Sequence, residues 1–335
     1  MRNKDIPGTH LLGIAKLCCL ITPLFLLISC DTSNDIPVQN INDEKIISDS
    51  QLEHLQQNGH YKHSENNTIH NHETFYFGFD LRASPQEDAA QYLPFLKYLE
   101  NTTGYRFKLH FTSKNSSAVD ELGKDVTQLS AIGATSFLEA QAKYDAISLV
   151  RGLNKQNKAE YQSVFVVRPN SKIRKITDIK GKRLAFGSTD STQGHLIPRI
   201  MLKENGINLN HLRTYDYTGS HQNCAEAVVS GKFDVCGMQD QLANKLASQG
   251  LIKIIHTSKY YPSSGIAASK HIEAEALQKI TQALLDFSPN GKHKQGLFHW
   301  ERTEMPLGFT KTSQDDYDEL KQWSIKLGFL QADTK

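Results

Sequence analysis

Three short segments combine hydroxyls, glycines and a histidine in a pattern suited to holding an anion. The first is Gly187-Ser188-Thr189-Asp190-Ser191-Thr192-Gln193-Gly194-His195. It follows an apolar run and opens a helical segment whose first turn tolerates Pro198. A helix start exposes backbone N–H groups without intrahelical partners and carries the positive end of the dipole, so Ser191, Thr192, Gln193 and Gly194 there form a candidate oxyanion cradle. In the second, Tyr217-Thr218-Gly219-Ser220-His221, Gly219 lets backbone approach a ligand closely, Ser220 can cap a helix and His221 sits at its entrance, with its ring directed to a cleft. The third, Gly133-Ala134-Thr135-Ser136, again runs a strand into a hydroxyl-bearing helix start. Alone, the first segment reads equally well as an ordinary helix cap, and a histidine placed like His221 is more often a surface residue. Three of them meeting at one cleft favour a bound anion.

The elements that would bring them together alternate from Phe75 onward. Strands are expected at 75–79, 105–111 and 129–133, interleaved with helices at 89–100, 117–122 and 136–143, a βαβαβα run that implies a parallel sheet with right-handed crossovers. A second run has strands at 163–167, 183–186, 212–217, 233–237 and 252–256, with helices at 196–205, 222–230 and 241–249. Helices at 273–287 and 313–327 close the chain. The fold class is therefore α/β, with two lobes, each a mixed or parallel sheet flanked by helices, and a ligand cleft between them at the carboxyl ends of the strands. Lobe 1 is expected over about 74–160 plus 265–335, and lobe 2 over about 161–264.

The stretch from about Phe75 to Pro289 resembles the phosphate, phosphite and phosphonate substrate-binding proteins of ABC importers (PhnD-type). The resemblance rests on Tyr161 to Val167, Ile176 to Gly187, Asp190-Ser191-Thr192-Gln193-Gly194 with Pro198, Gly219-Ser220-His221, and Ala227-Val228 before Gly231 and Asp234. The Asp-Ile-Lys-Gly-Lys turn is common to many binding proteins; the Ser-Thr-x-Gly and Gly-Ser-His pair is the specific part. The resemblance implies a type II periplasmic-binding-protein fold closing on an oxyanion held by Ser191, Thr192 and His221, with Ser220, Thr135 and Ser136 nearby and Asp240 meeting a ligand's polar tail. A protonated His221 is expected to favour the anion, and Asp240, paired with it, is the expected selector among oxyanions. Asn115 stands where the family commonly has a cleft tyrosine, Ala134 where it has proline and Phe137 where it has tyrosine, and a second acidic position is taken by Ser264 or Gly265. Delivery to an ABC permease and ATPase follows from the resemblance, with no cofactor. The alternatives are a sensor of the same fold that signals to a membrane receptor, and a metal-binding lipoprotein.

The first 29 residues have the build of a lipoprotein signal peptide: Arg2, Lys4 and Lys16 precede a short apolar run ending in Leu27-Ile28-Ser29-Cys30. Cys30 is the expected lipidation site, which places the protein outside the cytoplasm on the periplasmic or extracellular face of a bacterial membrane. Residues 30–73, polar and without apolar periodicity, read as a disordered tether carrying His54, His60, His63, His70 and His72, whose spacing matches no metal motif. Cys224 and Cys236 are expected as two buried free thiols in preference to a disulfide. The net charge of +2 conceals an acidic 31–73, with eight acidic residues and two lysines, and a mildly basic body; that suits an anionic ligand and not nucleic acid. A hydrophobic content of 39% with one short apolar run excludes a polytopic membrane protein. An HExxH or CxxC pattern is lacking, and no framed acid/base pair supports an enzyme.

Overall fold

A computed structural model describes residues 74–82 and 84–331. The expected signal peptide, Cys30 and the five tether histidines lie outside the described residues. The chain begins with β1 (Thr74–Phe79), α1 (Pro85–Thr103), β2 (Arg106–Leu109), α2 (Ala118–Gly123), β3 (Leu129–Ile132), α3 (Ala134–Tyr144) and β4 (Ile147–Gly152). It continues through β5 (Glu160–Tyr161), β6 (Ser163–Val167), β7 (Arg183–Phe186), a π turn (Thr192–Leu196), α4 (Ile197–Glu204), β8 (Thr214–Tyr217) and α5 (His221–Val229). The remainder is β9 (Val235–Gln239), α6 (Asp240–Ser248), β10 (Lys253–Thr257), β11 (Tyr261–Pro262), β12 (Gly265–Ala268), α7 (Ala274–Asp286), β13 (Phe309–Lys311) and α8 (Asp318–Lys326). Among the described residues no helix is long and apolar enough to cross a membrane.

Two sheets organise these elements. One has the order β13-β4-β12-β3-β1-β2 and the other β10-β6-β9-β7-β8. Each is mixed: β1 pairs in parallel with β2 and β3, while β12 and β13 run antiparallel to β4. In the second sheet β7 is parallel to β8 and β9, and β6 lies antiparallel between β9 and β10. Strand β6 is Ser-Val-Phe-Val-Val and buried at every position, as expected of a central strand covered on both faces. The chain passes from the first sheet to the second through β5 and returns through β11, and these short strands pair antiparallel, with Tyr161 opposite Tyr261. Two adjacent crossovers of this kind form a hinge about which lobes can close.

Local sequence explains where the site-bearing helices start. Ser84, Ser117 and Ser220 cap α1, α2 and α5, each accepting the N–H of the residue three positions on. Beneath the first sheet, Phe75, Phe77, Phe95, Phe287, Trp300 and Phe309 form an aromatic core, with Phe95 4.9 Å from Trp300 and 5.0 Å from Phe287 between ring centroids. Burying each such ring contributes about 1.5–3 kcal/mol and fixes the sheet under the loops that face the cleft. The C-terminal segment reaches across: Tyr317 packs on Phe137 beside the first sheet, while Phe329 lies 4.6 Å from the ring of His195 beside the second.

The cysteine expectation is overturned. Cys224 on α5 and Cys236 on β9 are joined in a disulfide with Cα atoms 5.7 Å apart. The helix packs directly on the strand that follows it, so two residues that read separately as core positions face each other. The bond closes a loop with a sequence separation of 12, for which the chain-entropy model gives a stabilisation of about 3 kcal/mol. The Cys224→Ser/Cys236→Ser double variant should therefore lose about that much in equilibrium urea unfolding. A loss within experimental error of zero would show that the bond does not restrain the unfolded chain.

Candidate functional site

Strand ends of both sheets open onto one cavity of about 260 Å³. One sheet contributes Asp80 and Arg82 after β1, Thr112, Ser116 and Ser117 before α2, and Gly133 before α3; the other contributes Ser188, Asp190, Ser191 and Thr192 after β7 and Gly219, Ser220 and His221 before α5. Phe79, Leu81 and Ala118 supply an apolar wall.

The Ser-Thr turn owes its shape to a π turn, in which the N–H groups of both His195 and Leu196 donate to Ser191 O, each at 3.0 Å. Such wide turns inside helices recur at functional sites. Ser191 Oγ accepts the Gly194 N–H at 2.9 Å, which leaves its own proton to donate. Glycine is required at 194 because an added Cβ would lie 2.8 Å from Ser191 Oγ and 3.1 Å from His221 Cε1. Behind the turn the buried His195 bonds Thr189 O through Nδ1 at 2.6 Å and Tyr217 Oη through Nε2 at 3.1 Å. Burial holds its pKa at about 4, so it is a neutral strut.

Thr192 makes a direct polar contact between the lobes. It is 4% exposed, and its Oγ1 accepts the Thr135 N–H at 2.9 Å and the Thr135 hydroxyl at 3.0 Å. Gly219 adopts φ +82°, which brings the loop round so that Ser220 can cap α5. His221, at the start of that helix, is 7% exposed and accepts the Gln239 N–H at Nδ1 at 3.4 Å. Burial pulls its pKa down to about 4, with Arg82 acting in the same direction. The imidazole is therefore neutral at pH 7, with Nε2 carrying the proton as a donor. This differs from the expected imidazolium.

The remaining expected residues are placed differently. Asn115 is exposed, in a turn before α2, and does not line the cavity. Gln193 is buried, but its amide donates to Gln162 O at 2.7 Å and to Asp240 Oδ1 at 3.3 Å and is turned away from the cavity. Asp240 is the first residue of α6, bonded to Gln193 and to the Gln241 N–H, and is not paired with His221. Ser136 faces Asp80, donating to Oδ2 at 3.1 Å.

Asp80, Arg82 and Glu304 are the functional neighbours that sequence reading passed over. Asp80 Oδ2 accepts the Gly133 N–H at 2.9 Å together with the Ser136 hydroxyl, so a carboxylate sits at the start of α3. Arg82 Nη1 bonds Glu304 Oε1 at 2.6 Å and its Nη2 lies 4.0 Å from Asp80 Oδ2 and 3.4 Å from Ser264 Oγ. Ser264 in turn donates to Glu304. The available signal was Asp80-Leu81-Arg82 at the carboxyl end of the first strand, where ligand-binding residues of open α/β sheets collect. Among the described residues no group of three or more His, Cys, Asp or Glu could hold a metal ion.

Two mixed α/β lobes, a paired-strand hinge and a cleft lined by strand-end hydroxyls and helix starts define the class: a type II periplasmic binding protein. The chain belongs to the family of ABC transporter phosphonate periplasmic substrate-binding proteins, whose model matches residues 77–317. The members of this family bind and hand over a substrate and are not enzymes. Among curated proteins it is 29% identical over 173 residues to the "Probable ABC transporter phosphite binding protein PhnD1" of Prochlorococcus marinus, covering 49% of this chain and 52% of that protein. It thus spans about half the length of that relative. It is 22% identical over 266 residues to the "Phosphate-import protein PhnD" of Mycolicibacterium smegmatis, covering 72% and 83%. Among solved structures, PhnD1 from Prochlorococcus marinus in complex with methylphosphonate superposes with a TM-score of 0.69 at 19% identity, over 77% of this chain and 99% of that one. A binding protein component of an ABC phosphonate transporter from Pseudomonas aeruginosa gives a TM-score of 0.66 at 19% identity, over 76% and 87%.

Burial pushes the Asp80 carboxyl up from 3.8 to about 6; Arg82 and the Gly133 and Ser136 hydrogen bonds oppose the rise and Asp190 adds to it. A carboxyl raised on folding contributes stability in acid and loses it as pH climbs from the unfolded to the folded value. Asp80→Asn, which keeps an acceptor for the Gly133 N–H, should match the native protein near pH 4 and exceed it above pH 6 by on the order of 2 kcal/mol. Thermal unfolding across that range checks this; a pH-independent difference would mean that the Asp80 carboxyl is not strained by burial.

Proposed function

We propose that the protein is an extracytoplasmic lipoprotein that binds a phosphorus oxyanion (a phosphonate, phosphite or phosphate) in the interlobe cleft and delivers it to the permease and ATPase of an ABC importer. The observation that carries this reading is the arrangement of Ser191, Thr192 and the Nε2–H of a neutral His221 from one lobe opposite the Gly133–Ser136 helix start of the other, around a cavity the size of a small ligand. Hydroxyl, imidazole and backbone donors of this kind satisfy a tetrahedral oxyanion from several sides. The ligands named for the Prochlorococcus and Mycolicibacterium relatives belong to the same chemical class. In this reading residues 1–29 are a signal peptide, Cys30 carries the lipid, 30–73 form the tether, lobe 1 is 74–160 with 265–335, and lobe 2 is 161–264. The site comprises Ser191, Thr192, Ser220 and His221 with Thr135 and Ser136; Gln193, Gly194 and Asp240 support it from behind.

Methylphosphonate, phosphite or phosphate at a hundredfold excess over its dissociation constant should stabilise the protein by about 2.7 kcal/mol, read as a rise in melting temperature. Thr192→Ala and His221→Ala, each removing one hydrogen bond to a charged group, should weaken binding by about 10- to 100-fold. If no phosphorus oxyanion at millimolar concentration shifts melting, the ligand class is wrong. Acyl labelling in a bacterial host should be lost in Cys30→Ala, and its persistence would refute the anchor.

A further inference from the structure

Resting on the reading that the cleft holds a phosphorus oxyanion, we propose that Asp80 sets which oxyanion is accepted. Its carboxylate receives a hydrogen bond from a protonated ligand oxygen, so the site takes phosphorus oxyanions that retain one proton and rejects sulfonates and sulfate. Three observations carry this.

The first is position. Asp80 lines the cavity, and a methyl group placed on Gly133 would lie 3.1 Å from Thr192 Oγ1, 3.7 Å from Asp80 Oδ2 and 4.0 Å from Arg82 Nη2. The same small volume is bounded by the cradle hydroxyl of one lobe and the carboxylate of the other. Asp240 does not line the cavity and is engaged with Gln193.

The second is the use of the carboxylate's oxygens. Oδ2 already accepts from the Gly133 N–H and the Ser136 hydroxyl, and among the described residues no hydrogen bond is made to Oδ1. A carboxylate oxygen can only accept, so the ligand atom meeting it must bring a hydrogen.

The third is charge. The charged residues lining the cavity are Asp80, Arg82 and Asp190. The Arg82 guanidinium is paired with Glu304 at 2.6 Å, and His221 is neutral. A fully ionised ligand would meet two carboxylates and no unpaired cation of this lining set. Retaining one proton lowers the ligand's charge and supplies the donor that Asp80 lacks. A sulfonate of the same shape has three acceptor oxygens and no proton to offer, so one of them would face the carboxylate unpaired.

The test is calorimetric titration of the protein with methylphosphonate, methanesulfonate, sulfate and 2-aminoethylphosphonate. Native protein should prefer methylphosphonate over methanesulfonate by about 100-fold or more, the discrimination available when a buried polar group would otherwise be left unpaired. Asp80→Asn, whose amide can donate to a sulfonate oxygen, should weaken methylphosphonate by roughly 10-fold or more and bring methanesulfonate within about 10-fold of it. Native protein that binds both methyl compounds equally overturns the proposal whatever the variant does. So does an Asp80→Asn protein with an unchanged ratio, or one in which only 2-aminoethylphosphonate weakens, since Asp80 would then read an ammonium group. If native protein binds no phosphorus oxyanion, the functional reading fails first; intact methylphosphonate binding with an unchanged ratio removes this inference alone.

Discussion

The hydroxyl of Thr192 accepts both the backbone N–H and the side-chain hydroxyl of Thr135, and this contact relates the two lobes across the cleft. Much of the local structure exists to hold it in place. The π turn presents Ser191 and Thr192 to the cavity, the Gly187 N–H bonds Gly194 O at 2.9 Å, and the buried His195 braces the turn from behind between Thr189 and Tyr217. On the opposite side, Thr135 can meet it only because α3 starts directly after β3 and leaves its first N–H groups unpaired. A ligand oxygen entering between the lobes would compete for the same donors. Contact between the lobes and contact to an incoming oxyanion would therefore draw on one set of groups.

On the proposed reading, the cleft would hold an anion with dipoles and neutral donors instead of free cations. Arg82 is neutralised by Glu304, and His221 is kept neutral by burial with its Nδ1 occupied by the Gln239 N–H. Fixed donors in a partly desolvated space need no reorganisation when the anion arrives, so they discriminate by geometry and by the number of protons on the ligand. A cleft of unpaired arginines would bind anions more strongly and select among them less.

Strands whose residues are continuously apolar or cleanly alternating could be read from the chain: 163–167 and 183–186 fall where β6 and β7 lie, and the helices differ by a few residues at their ends. β4, β12 and β13 were not legible. β12 is Gly-Ile-Ala-Ala, with little of the branched bulk that marks a strand, and β13 is three residues long. Their antiparallel pairing turns an apparently parallel lobe into a mixed sheet. In the site, Ser191, Thr192, Ser220 and His221 were visible because the cap positions themselves carry the chemistry. Asp80 and Arg82 were not, because a charged residue just after a strand has the composition of any surface loop. Glu304 gains its meaning only from Arg82, 222 residues earlier in the chain, and no local pattern encodes such a contact. Gln193 is next to the cradle in sequence, yet adjacency does not determine on which side of the turn a side chain emerges, and its amide bonds Gln162 O and Asp240 instead of lining the cavity.

The disulfide takes on a second meaning beside His221. Cys224 lies one turn along α5 from His221, and Cys236 lies on β9 three residues before Gln239, whose N–H occupies His221 Nδ1. The covalent bond therefore joins the element that carries the imidazole to the element that fixes its tautomer. A 3.4 Å hydrogen bond is too weak to hold a ring in place alone, since such bonds contribute about 1 kcal/mol and weaken with length. With helix and strand cross-linked behind it, the ring has little freedom left to lose. An extracytoplasmic protein can rely on this kind of restraint because oxidised cysteines persist there. The stapled pair thus restrains the cavity-lining imidazole as well as the fold.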